Sequence, residues 1–172
     1  MEILNNLDTI IQNFLLSLGI WGPIFSCILI LIESILPVLP LAVFITLNFV
    51  YFGNVVGFFI SLLFTVLGCY LSFIIFRKGF STKFQRKIKE KDKLENLMIR
   101  FSNISVGALA ALVAMPFTPA FLVNIAAGLS NMSKKKFIFS MIIGKIAMVY
   151  FWGYVGTSLI NSITNPILLI RI

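Results

Sequence analysis

The chain opens with Leu4, Leu7, Ile11, Phe14, Leu15 and Leu18 at helical spacing and Asn5, Asp8, Gln12 and Asn13 opposite them. This pattern predicts an amphipathic interfacial helix over residues 1–19. Beyond it polar positions become scarce. Apolar residues fill Ile20 to Phe76, Ile104 to Leu129 and Phe137 to Ile160. Because about 20 apolar residues cross a hydrocarbon core about 30 Å thick, these runs must divide into spans and partial spans. Prolines mark the divisions: Pro37 and Pro40 interrupt the first run, Pro116 and Pro119 the second. Each removes a backbone donor and disfavours a continuing helix. The first run then reads as an arm Ile20 to Leu36, a turn, an arm Leu41 to Phe52 and a full span Val55 to Phe76. The 17 residues of the first arm are enough to cross when untilted, so length alone leaves open whether that arm crosses or turns back.

Charge decides the path of the second run. Nine of the 14 basic residues lie between Arg77 and Arg100, and Lys134, Lys135 and Lys136 follow Leu129, so the positive-inside bias puts both flanks in the cytoplasm. A segment that starts and ends on one side cannot cross once, and its 26 residues are too few to cross twice. It is expected to enter and return, with arms Ile104 to Met115 and Ala120 to Leu129; twelve helical residues rise about 18 Å, past the middle of the core. The basic segment interleaves Phe80, Phe84, Ile88, Leu94, Leu97 and Met98 with Lys and Arg, as in a partly helical stretch lying on an anionic leaflet. The N-terminal helix has no Lys or Arg and is placed outside.

The expected fold is therefore all-α and polytopic, with two inverted repeats, each a re-entrant helical hairpin followed by a transmembrane helix. Its parts are the interfacial helix 1–19, hairpin 20–53, span 54–76, basic segment 77–100, hairpin 101–133, span 137–160 and a tail 161–172. An offset of 76 pairs Pro40 with Pro116, Asn48 with Asn124 and Gly68 with Gly144, whereas the whole Pro-x-x-Pro needs 79. The sequence repeat is weak and the topological one stronger.

Composition agrees with a membrane protein: 59% hydrophobic, 12% charged, mean hydropathy +1.03. The net charge of +8 is concentrated beside a span, which argues against a nucleic-acid partner. Cys27 and Cys69 are isolated and read as small buried hydrophobes. With no His, one carboxyl group in the apolar runs and no Gly-rich phosphate loop, neither an enzyme nor a metal or other cofactor is expected. The chemistry rests on Glu33 and Lys145. A charge at the depth of Glu33 costs at least about 2.5 kcal/mol on insertion scales. That residue is either a neutral carboxyl bonded to a carbonyl freed by the prolines or a site on a substrate or proton path. Lys145 either snorkels to the cytoplasmic interface or faces Glu33 or an anionic headgroup. Asn48, Thr118 and Asn124 are the polar side chains placed to line a cavity or bond a neighbouring helix, and Gly68, Gly128 and Gly144 are helix-packing positions.

"ESILPVLP" (Glu33 to Pro40) and "PFTPAFLVNIAAGLSNMS" (Pro116 to Ser133), with Phe137 and Gly144, resemble the DedA superfamily, whose shared unit is the VTT or SNARE-associated domain. The likeness covers roughly Gly19 to Ser158 and leans toward the TVP/TMEM-type bacterial branch. It implies the bacterial plasma membrane, two inverted units, and a lipid translocase moving polyprenyl phosphate or phospholipid, with anionic phosphate headgroups as partners. Glu33 matches the family's acidic position. Where many members carry Arg around the second turn, this chain has Val113, Ala114, Met115 and Ala120, so Lys145 is the residue left to compensate. Rival expectations are a proton-coupled small-solute carrier and a non-transporting scaffold or assembly factor. Oligomeric state is left open.

Overall fold

Six helices make up most of the described residues. They are α1 (Trp21–Glu33), α2 (Leu41–Gly79), α3 (Asp92–Asn103), α4 (Val106–Ala114), α5 (Ala120–Leu129) and α6 (Lys134–Thr164). The structure, a computed structural model, describes Gly19 and residues 21–36, 40–79 and 92–164. Expectations for residues 1–18, for Pro37, for residues 80–91 and for the tail from 165 onward lie outside the described residues. Among the described residues there is no strand. Two helices, α2 and α6, are long and apolar enough to cross a membrane.

Helix ends follow local chemistry. α4 starts at Val106, two residues later than the pattern predicts, because Ser105 is extended and its hydroxyl accepts from Ala108 N at 3.1 Å. It stops at Ala114 because Met115, ahead of Pro116, is extended. Nine residues rise only about 14 Å, shorter than the expected arm. α6 starts at Lys134 rather than Phe137, since Ser133 Oγ accepts from Lys136 N at 3.3 Å. α1 has 13 residues, about 20 Å, and ends in a turn over residues 34–36.

α2 is broken at Gly53 (φ 76, ψ 171), a conformation essentially confined to glycine. The break folds residues 41–52 back onto the rest of the helix. A Cβ on Gly57 would lie 2.5 Å from Asn48 O, and Asn48 Nδ2 donates to Ser61 Oγ at 3.0 Å.

Two apolar clusters join α2 and α6. One unites Cys69 and Phe73 with Phe137 and Met141, together with Leu109, Val113 and Ala127; its Phe73 and Phe137 rings stack at 4.3 Å. The other unites Ile30, Phe44, Ile45 and Phe49 with Met148 and Val149. Numbers rise along α2 as they fall along α6, so the two helices run antiparallel. Arg77 and Lys78 thus share one end of the molecule with Lys134, Lys135 and Lys136. We call this the basic end.

Residues 102–132 leave and return at that end. Lys136 Nζ donates to Ser102 O at 2.8 Å and Ser140 Oγ to Val106 O at 3.2 Å. On the return, Arg77 Nη2 donates to Ser130 O at 2.9 Å and Met132 O at 2.6 Å, with its guanidinium 4.3 Å from the Phe73 ring centre. The turn between α4 and α5 lies far away, where Phe117 meets Trp152 edge to face. Trp152 is about 27 Å along α6 from Lys134.

Small residues set the helix approaches. Cβ atoms on Gly68 and Gly144 would lie 2.5 Å from Ser34 Oγ and 2.6 Å from Ala110 O, so α1 packs on α2 as α4 packs on α6. Gly128 of α5 lies against Phe73 O of α2, and Gly153 and Gly156 of α6 lie against Phe49 and Thr46. Each second arm therefore crosses to the other long helix. Outward, Val55, Phe59, Leu63, Leu67, Leu71 and Ile75 form an exposed apolar stripe along α2. Twenty residues of rise make it about 30 Å long, the thickness of a hydrocarbon core.

Candidate functional site

α1 ends beside the middle of α6, and polar groups collect there. Ser34 closes the helix, with its amide and hydroxyl both donating to Ile30 O. Ser34 O, one of the carbonyls a helix end leaves unpaired, accepts from Asn124 Nδ2 of α5 at 3.2 Å. Glu33 stands at the same end. Its Oε2 is buried without a hydrogen-bond partner, as is Asn124 Oδ1.

Lys145 of α6 is 0% exposed. The sequence left snorkelling open, and the structure instead keeps the amine inside. Nζ donates to Met148 Sδ at 3.4 Å, a weak acceptor for a group with three donors. It forms no ion pair with Glu33 among the described residues. Its positive charge complements the partial negative charge of the α1 C-terminus. Three helices thus bring together an amine with donors to spare and two oxygens without donors. A ligand fitting this set offers an acceptor to Lys145 and a hydrogen to Glu33 or Asn124.

Asn48 is placed differently. Its Oδ1 accepts from Ser26 Oγ and, at 3.9 Å, Cys27 Sγ, and its amide donates to Ser61. Both ends are satisfied by α1 and α2, so Asn48 is a strut. Thr118 lies in the turn between α4 and α5, its amide donating to Met115 O at 3.2 Å, and makes no hydrogen bond to the cluster. Of the turn prolines, Pro40 precedes α2 and accepts from Val43 N at 3.0 Å, Pro119 is the residue before α5, and Pro116 is half-buried. Sequence reasoning missed Ser34, Ser26, Ser61 and Arg77. Ser26 and Ser61 carried a usable signal, being hydroxyls inside apolar runs that must bond within the protein.

The VTT domain profile matches residues 39–158, most of the chain. The chain belongs to the VTT domain family, the shared unit of the DedA superfamily. It is similar to the uncharacterized membrane protein YhjE of Bacillus subtilis (strain 168), 35% identical over 147 residues that cover 86% of this chain and 71% of that protein. It is also similar to the uncharacterized protein YqeD of the same organism, 27% identical over 154 residues, or 90% and 73% of the two chains. No solved structure matches the chain significantly. As a VTT family member the chain is a membrane protein. The matched VTT stretch includes Asn124 and Lys145, whereas α1 with Glu33 precedes it.

A cavity of about 520 Å³ lies elsewhere in the VTT domain, lined by Phe49, Asn54, Val55, Phe58, Phe59, Tyr150, Tyr154 and Thr157. Glu33, Asn48, Thr118, Asn124 and Lys145 are not among its lining residues, although Asn48 precedes Phe49, which is.

Proposed function

We propose that the protein is a lipid translocase that passes a phosphate-bearing lipid headgroup between leaflets through the polar cluster at Glu33, Asn124 and Lys145. In this reading α2 beyond Gly53 and α6 are the spans, and the two proline turns are the tips of re-entrant hairpins entering from opposite faces as an inverted repeat. The observation that carries it is the full enclosure of the Lys145 amine in a protein that also buries Glu33 Oε2 and Asn124 Oδ1 without hydrogen-bond partners. Burying such groups is costly unless a ligand completes them. A phosphate oxygen accepts from Lys145 while a phosphate hydroxyl or a water donates to Glu33 or Asn124. The packing of α1 and α4 against Gly68 and Gly144, with each second arm crossing to the opposite span, supports the repeat. The family to which the chain belongs is membrane-embedded, which supports a lipid as cargo.

The test is fluorescent-lipid movement in vesicles containing the purified protein, across a panel of headgroups. Anionic phosphate lipids are expected to move, and Glu33→Gln to slow them by about tenfold, one 1.4 kcal/mol step in barrier height. An unchanged rate in a folded Glu33→Gln protein removes Glu33 from the path. Movement of no lipid at all overturns the reading.

A further inference from the structure

The cavity of about 520 Å³ lies apart from the polar cluster, and its walls are aromatic. On α2, Phe58 and Phe59 meet edge to face at 5.4 Å; on α6, Tyr150 and Tyr154 stack at 6.4 Å. Its volume falls within the range of small-molecule pockets, about 300–1,000 Å³. Apart from the Tyr150 and Tyr154 hydroxyls, little in it suits a polar ligand. The Thr157 hydroxyl is spent on Gly153 O at 2.7 Å, and Asn54 is the one amide in the lining.

Position identifies what enters. The lining on α6 runs from Tyr150 to Thr157, about 24–35 Å along the helix from Lys134, and on α2 it occupies the first turns after Gly53. The cavity is therefore at the end opposite the basic one. Val55 and Phe59 also begin the 30 Å apolar stripe of α2, so the mouth is continuous with the surface that faces hydrocarbon. Asn54 stands at the interfacial rim, with the rings deeper. Gly53 adjoins the cavity, and Phe49, on the arm it folds back, supplies the inner wall.

We propose that this cavity binds one hydrocarbon chain of a membrane lipid, admitted sideways from the leaflet opposite the basic end. The proposal rests on α2 and α6 being the spans of the proposed translocase, but not on any headgroup passing Lys145.

The experiment uses the full chain in phosphatidylethanolamine/phosphatidylglycerol vesicles carrying a trace phospholipid with a photoactivatable diazirine in its acyl chain. Adducts are mapped by mass spectrometry. They are expected to concentrate on Phe58, Phe59, Tyr150 and Tyr154 relative to Leu67 and Ile143, which are exposed to hydrocarbon outside the cavity, and to be competed by unlabelled lipid. Thr157→Trp or Val55→Trp, each filling the cavity, is expected to reduce those adducts about tenfold, one 1.4 kcal/mol step, while Leu67→Trp leaves them in place. Uniform, uncompeted labelling along the stripe overturns the proposal, as does labelling unaffected by both filling variants. Competed labelling in a protein that moves no lipid retains the chain site and removes the translocase. Lipid movement with uniform labelling does the reverse.

Discussion

Lys145 is the residue whose replacement separates stability from function. Its side chain is enclosed, with a thioether as its hydrogen-bond partner, so its charge contributes little cohesion to set against the cost of its burial. Replacing a buried charge by an apolar group of similar volume is often neutral or stabilising by about 1–4 kcal/mol. Lys145→Met is therefore expected to keep or raise the thermal midpoint of the detergent-purified protein while lipid movement falls about tenfold. A lowered midpoint would assign Lys145 a structural role. Asn48 behaves oppositely: it completes bonds to Ser26 and Ser61, and its loss takes the donor from the buried Ser61 hydroxyl, while Ser26 keeps Pro23 O as acceptor. The sequence paired Asn48 with Asn124 by offset, yet only Asn124 reaches the cluster. An offset carries no information on which neighbour a side chain meets. Glu33 and Lys145 were legible because charge in an apolar run is rare; Ser34 was not, because its contribution is a backbone carbonyl, which every residue has.

At the level of helices, the glycines rank by what stands opposite them. A methyl on Gly144 would meet the Ala110 carbonyl at 2.6 Å, and backbone has little room to yield. On Gly68 it would meet the Ser34 side chain at 2.5 Å, and on Gly107 nothing within 4 Å. Gly144→Ala is expected to destabilise by about 3 kcal/mol, the upper end of what overpacking usually costs. Gly68→Ala should cost less, and Gly107→Ala should gain about 0.5–1 kcal/mol of helix propensity. Thermal unfolding of the three variants checks the order. The turn between α4 and α5 was readable from Pro116 and Pro119, and α5 occupies the predicted Ala120 to Leu129. The starts of α4 and α6 were misplaced by two and three residues because Ser105 and Ser133 cap them. The break at Gly53 falls at the boundary read between the arm Leu41 to Phe52 and the span from Val55; that glycine makes it was not legible, since glycine in an apolar run looks the same whether it packs or bends.

For the whole molecule, the testable feature is that residues 102–132 depart and arrive at the basic end. Single cysteines at Asn103 and Asn131, both exposed, in a background lacking Cys27 and Cys69, are expected to react with an impermeant thiol reagent from the same side of the membrane. Phe117→Cys, at the 84% exposed turn, should not react from that side. Reaction of the first two from opposite faces would replace the out-and-back path by a crossing. Within the molecule, the return of this segment to its basic flanks was legible because basic residues at both ends of one apolar segment admit few paths; the crossing of each second arm to the opposite long helix was not, since partner choice depends on shape. The enclosure of Lys145 also bears on biogenesis. A helix centred on an ammonium is released into lipid at a cost of about 2.5–3.5 kcal/mol on insertion scales. α6 emerges from the ribosome after α1, α2 and α5 are already made, so its shelter is waiting: the order of synthesis lets the last helix dock against its predecessors instead of meeting the bilayer alone.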